Sequence, residues 1–134
     1  MNPRLEEARE WLQKAKSDLL SAQILIRHDP PVLDTASFHC QQAVEKLLKA
    51  FLVWKAVPFE KVHSLTYLLD LCELKEPGFA SLREGVEALT PYAIGVRYPG
   101  EVMEVSPEEA QEALATAEAM WDFVLKLLPG EIHL

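Results

Sequence analysis

The stretch Asp34–Lys55, DTASFHCQQAVEKLLKAFLVWK, decides how this chain folds. Ala36, Cys40, Ala43, Leu47, Ala50 and Trp54 recur at alternating spacings of four and three, one continuous apolar stripe at helical period. Beside it run His39, Gln42, Lys46 and Lys49, a second row that is polar and mainly basic. At about 100° per residue the two rows are centred roughly a quarter-turn apart, so the polar one borders the buried face. The spacing predicts a long central helix with a basic edge, capped at its start by Asp34.

Working outward, the segment before it reads as an equally long helix. Asn2 is a cap and Pro3 suits the first helical position. Leu5, Ala8, Leu12, Ala15, Leu19, Ala22 and Ile26 then alternate three and four apart, with large and small residues interleaved so that a partner helix can approach closely. Trp11, Leu20 and Ile24 widen this apolar face, and Arg27 and His28 suit the negative end of the helix dipole before Asp29-Pro30-Pro31 stops it. After Lys55, Ala56 to Val62 reads as a loop containing Pro58, and Ser64 opens a shorter helix carrying Leu65, Leu68, Leu69, Leu71 and Cys72. Glu76-Pro77-Gly78 breaks it, and a fourth helix places Phe79, Leu82, Val86 and Leu89 on one face. The last helix has the clearest start. Ser106, Pro107 and Glu109 form a capping box with proline at the first turn, and Ala110, Leu114, Ala117, Trp121, Val124 and Leu128 form its stripe up to Pro129-Gly130. No strand-like alternation competes with these patterns. The expected fold is all-α: one domain over residues 1–134, an up-and-down antiparallel bundle of four main helices plus one short helix.

A chain of 134 residues can bury about two-thirds of its unfolded surface without disulfides or a metal. A net charge of −8 argues against broad nucleic-acid binding. No apolar run reaches the roughly 18 residues that span a membrane, so no membrane association is expected and the cytosol is the expected address. Cys40 and Cys72 have no metal or redox spacing and read as two buried thiols. His28, His39, His63 and His133 are scattered, and no metal or cofactor is expected. The chain has no phosphate-cradling glycine loop, nucleophile elbow or dinucleotide fingerprint. This lowers the expectation of catalysis without removing it.

Three features remain as candidates for chemistry. Arg97-Tyr98-Pro99-Gly100 combines a guanidinium suited to phosphate or carboxylate, a ring that can stack, and two backbone-restricting residues. Its plain alternative is a turn whose Arg pairs with a nearby Glu. The row His39, Gln42, Lys46, Lys49 offers polar contacts, with His63 facing the same region or only capping the next helix; its plain alternative is a solvated face with a Glu45–Lys49 helical pair. The acidic run from Glu101 to Glu118 suits a helix N-terminus, or else a docking face for a basic partner.

Phe38-His39-Cys40-Gln41-Gln42-Ala43-Val44-Glu45-Lys46-Leu47-Leu48-Lys49-Ala50 resembles the second-helix signature of HEPN domains, the higher-eukaryote and prokaryote nucleotide-binding family. Trp11 and Asp18 in the opening helix, His63-Ser64-Leu65 at a helix start, and Arg97-Tyr98-Pro99 before the last helix occur in the family's order. The resemblance implies a helical bundle that commonly forms a homodimer and associates with a minimal nucleotidyltransferase, as in toxin–antitoxin-like pairs. It is similar to the branch outside the HEPN ribonucleases, because Val102, Met103 and Glu104 stand where their Arg-x4-6-His motif has its His. The expectation is therefore a nucleotide-binding or partner-binding subunit with no catalytic residue of its own. Arg97, Lys46 and Lys49 meet phosphates, Tyr98 stacks or hydrogen-bonds, and His39, Gln42 and His63 add polar contacts. The alternatives are a degenerate HEPN ribonuclease toxin and a structural dimerisation adapter that packs Phe59, Trp54 or Trp11 on a second copy.

Overall fold

The computed structural model describes residues 2–94, 99 and 104–134. They form five α-helices: α1 (Pro3–Arg27), α2 (Leu33–Trp54), α3 (Leu65–Lys75), α4 (Arg83–Ala88) and α5 (Pro107–Leu127). The bundle is all-α, and no strand occurs among the described residues. Its short member is α4, six residues long and preceded by a 3-10 segment over Pro77–Leu82. The continuous fourth helix expected from Phe79 to Leu89 is thus two shorter pieces. Pro77 and Gly78 disfavour a regular α-turn there, yet Phe79, Val86 and Leu89 are still buried.

The helix starts follow side-chain chemistry. Asn2 accepts from the Leu5 amide at 2.9 Å, and Ser64 caps α3 through the Tyr67 amide. Ser106 and Glu109 make a reciprocal capping box at the head of α5. The exceptions are α4, which follows Leu82 with no side-chain cap, and α2. The N-cap of α2 is Val32, with no side-chain bond, and Asp34 lies inside the first turn. There its carboxylate favours the helix dipole instead of capping. At the far end α2 closes in a two-bond C-terminal cap, with the Ala56 amide on the Val53 carbonyl and the Val57 amide on the Leu52 carbonyl. This places Ala56 at φ 57°, a left-handed position usually taken by glycine.

α1 and α2 share the most extensive interface of the molecule. Leu5, Ala8, Leu12, Ala15, Leu19 and Ala22 are all buried along the predicted seam. Trp11 meets Lys49 while Asp18 meets His39 and Lys46, so the two helices run antiparallel. α5 also packs on α1, where Gln23 donates to Glu118 at 3.1 Å. α3 sits over the middle of α2, where the Cys72 thiol lies 3.7 Å from the Leu48 carbonyl. Edge-to-face contacts from Phe51 through Phe79 to Phe123, 4.9 and 4.8 Å between centroids, tie α2 and α5 to the 3-10 segment. Gly85 brings α4 against α5 so closely that a Cβ there would stand 2.6 Å from the Thr116 hydroxyl.

Two expectations about apolar residues change. Leu20 and Ile24 do not widen the buried face of α1; both are exposed. Trp11, Trp54 and Phe59 instead pack partly buried against this chain's own core. The material for an apolar face on α1 is therefore Leu20 and Ile24, one helical turn apart. Among the described residues no helix is long and apolar enough to cross a membrane.

Candidate functional site

The polar row on α2 exists as a surface feature, but its charges are already engaged. Asp18 of α1 reaches across the helix interface and accepts from both His39 Nδ1, at 2.8 Å, and Lys46 Nζ. One turn further along α2, Glu45 accepts from Lys49 Nζ at 3.0 Å and lies 3.1 Å from Nδ1 of His63. Each carboxylate thus holds one lysine and one imidazole. With neutral imidazoles the two sets carry no net charge, so the edge is less basic than its residue types suggest.

The two sets differ in depth. Glu45 is 2% exposed and Lys49 only 6%, with its ammonium 5.2 Å from the centroid of Trp11. Lys49 therefore corrects both sequence-based readings. It is neither an edge cation open to phosphate nor half of a solvated helical pair, because α1 and Trp11 close over it. A buried ammonium needs its carboxylate, and the cation–π contact adds to that stabilisation. Lys46 and His39 are half-buried on the buried Asp18, and His63 is 79% exposed. Gln42 donates to the buried Gln41 at 2.7 Å and stays half-buried itself.

In both imidazoles Nδ1 faces a carboxylate, which leaves Nε2 without a bond among the described residues. A carboxylate behind a histidine orients the ring and favours a single tautomer. The arrangement can accept a proton, donate a hydrogen bond, or bind an anion once an imidazole is protonated. His39 and Glu45 are six residues apart on α2, about 9 Å along the helix axis at about 1.5 Å per residue, while Lys46 of the first set directly follows Glu45 of the second.

His39, Gln42, Lys46, Lys49 and His63 thus share one edge of the bundle. Arg97 and Tyr98 lie outside the described residues, and their place relative to this edge carries no geometric statement. The carboxylates are what residue-type reasoning passed over. Asp18 stands among apolar neighbours on the α1 seam, and an acid at such a position signals a buried partner. The Glu-x-x-His spacing of Glu60 and His63 falls in the loop before α3, not on a helix face, and no group of three metal-ligating side chains converges among the described residues. Both thiols are buried, and burial pushes Cys40 up to about 12 and Cys72 higher still, so neither is a ready nucleophile.

Known proteins agree with this architecture. "Putative toxin MJ1304" of Methanocaldococcus jannaschii is 25% identical over 140 residues, covering 92% of this chain and 90% of that protein. The crystal structure of ST0689, an archaeal HEPN homologue, superposes with a TM-score of 0.62 at 22% identity, over 94% of this chain and 98% of the other, a likeness of fold. The HEPN domain model matches residues 8–128, nearly the whole chain, and the protein accordingly belongs to the HEPN domain family.

Proposed function

We propose that this HEPN protein is the binding subunit of a toxin–antitoxin-type pair, taking a nucleotide or a nucleotide-handling partner along the outer edge of α2. The observation that carries the reading is the pair of carboxylate-held imidazoles, whose Nδ1 atoms are occupied and whose Nε2 atoms have no bond among the described residues, with Lys46 on the same carboxylate as His39. Donors fixed in advance bind a phosphate with little further ordering of side chains. Within this reading His39, Lys46, Gln42 and His63 contact the ligand. Lys49 acts behind them by holding Glu45, and Arg97 and Tyr98 are expected to complete the contacts. The relative named as a toxin supports the cellular setting. A minimal nucleotidyltransferase is the partner this reading favours, with the HEPN chain as a homodimer.

Calorimetry with ATP, GTP and UTP tests the nucleotide half. Binding at millimolar ligand is the expected result. No heat at that concentration removes it. Co-purification from the native host tests the partner half.

The same two imidazoles favour one second reading, a ribonuclease with a rearranged site. A carboxylate-held imidazole can take a proton from a ribose 2′-hydroxyl, and a second can protonate the leaving oxygen. Growth arrest on expression that His39→Ala abolishes would support it. Harmless expression together with intact RNA after incubation would count against it.

A further inference from the structure

Away from the α2 edge, a cleft of about 560 Å³ opens between α4, the turn at Thr90–Tyr92 and the first half of α5. Four carboxylates line it: Glu84 from α4, Glu104 from the approach to α5, and Glu109 and Glu112 from α5. No Lys, Arg or His lines it among the described residues. Arg83, beside Glu84 in sequence, is turned to Asp70 at 2.7 Å and Glu73 at 3.2 Å on α3. Glu109 accepts from the Ser106 amide in the capping box, and no ion pair engages any of the four among the described residues.

The floor is different in kind. Leu89 and Ala113 are buried there, and Tyr92, 9% exposed, lines the same wall. The Tyr92 hydroxyl has no hydrogen-bond partner among the described residues. Burial, and then the negative charge of Glu109 and Glu112, push the phenol above its ordinary range, which keeps the hydroxyl protonated and places those carboxylates near it. A deeply set hydroxyl, an apolar floor and a carboxylate rim together describe a ligand with an apolar body and a positive end. A bare metal ion fits poorly, since no three carboxylates converge closely enough to hold one among the described residues.

We infer that this cleft is a second binding site, for an organic cation with an apolar stem: an alkylguanidinium or alkylammonium group whose charge meets Glu84 and Glu112 while its methylenes lie on Leu89 and Ala113. The group comes either from a free polyamine or from an arginine or lysine side chain of a basic partner segment. The acidic run at the head of α5, surplus to what helix capping needs, gains a role in this way. The site shares no residue with the α2 edge and stands independently of the function proposed there.

The test is a titration of the full isotope-labelled chain with butylguanidinium, followed by amide NMR, with guanidinium and butyrate at equal ionic strength as controls. Saturable shifts at Gly85, Leu89, Tyr92 and Ala113 with a Kd of about a millimolar are expected for butylguanidinium alone. Glu84→Gln with Glu112→Gln should weaken binding about tenfold, because each removes a charge-assisted contact. Thermal melts confirm that this variant folds. Tyr92→Phe, which keeps the ring, should weaken binding by a smaller factor. Spermidine and a capped tri-arginine peptide distinguish the sources, and the tighter binder names the natural class. Equal shifts with plain guanidinium, shifts spread over unrelated acidic surfaces, no shifts, or an unchanged Kd in the double variant would each overturn the inference.

Discussion

The two carboxylate clusters on α2 contain the same three kinds of group and do opposite things. Glu45 and Lys49 are four residues apart on one helix, a spacing that usually marks a solvated pair, yet they are the deeper set. Asp18 and Lys46 lie on different helices, 28 residues apart, and although Asp18 itself is buried, Lys46 keeps 21% of its side chain exposed. What separates them is the cover from α1. Trp11 lies over Lys49, whereas no such ring roofs Lys46 among the described residues. Depth, not residue type, separates the closed Glu45–Lys49 pair from the partly open Lys46 and His39.

Breaking the deeper set should therefore cost the most. Glu45→Ala leaves the Lys49 ammonium buried without its carboxylate and should destabilise the fold by about 3–5 kcal/mol. Urea unfolding measures this, and Glu45→Gln combined with Lys49→Met should recover most of the loss. A cost below about 1 kcal/mol would mean the pair is effectively solvated. Asp18→Asn keeps the shape and removes the charge. Its loss should be smaller, about 1–3 kcal/mol, since Lys46 and His39 can turn to water. Lys46→Met should cost no more than about 1 kcal/mol while weakening any phosphate binding at the edge. His63→Ala should leave the melting temperature unchanged, because the ring is 79% exposed, and should change only ligand affinity. If the single variants of Lys46 and Lys49 prove equally destabilising, the contrast between the two sets fails.

The same contrast shows what could be read in advance. The α1 seam, the α2 stripe and the capping box of α5 were legible because helical period and cap chemistry are local, and all lie where the spacing puts them. Cys40 and Cys72 were legible as buried thiols for the same reason. The piece from Phe79 to Leu89 was not, since its apolar spacing fits an α-helix while Pro77 and Gly78 shift its first half into a 3-10 form. The row His39, Gln42, Lys46, Lys49 was legible as a row. Its electrostatics were not, because neutralisation of Lys46 depends on Asp18 from another helix, and burial of Lys49 depends on Trp11. Pairing between distant segments has no local signature. Leu20 and Ile24 mislead similarly, since apolar type beside a seam does not establish that a neighbour covers it.

The left-handed alanine at the tail of α2 has a consequence for how the molecule opens. Its methyl group opposes the backbone twist on which the cap's two hydrogen bonds depend, a steric opposition of about 1–2 kcal/mol. Fraying of the central helix should start at this corner, with the Ala56 and Val57 amides exchanging with solvent well before those of Leu47 or Leu48. The loop that carries His63 begins at this corner, so one of the two carboxylate-held imidazoles is tethered to the end of α2 where opening starts.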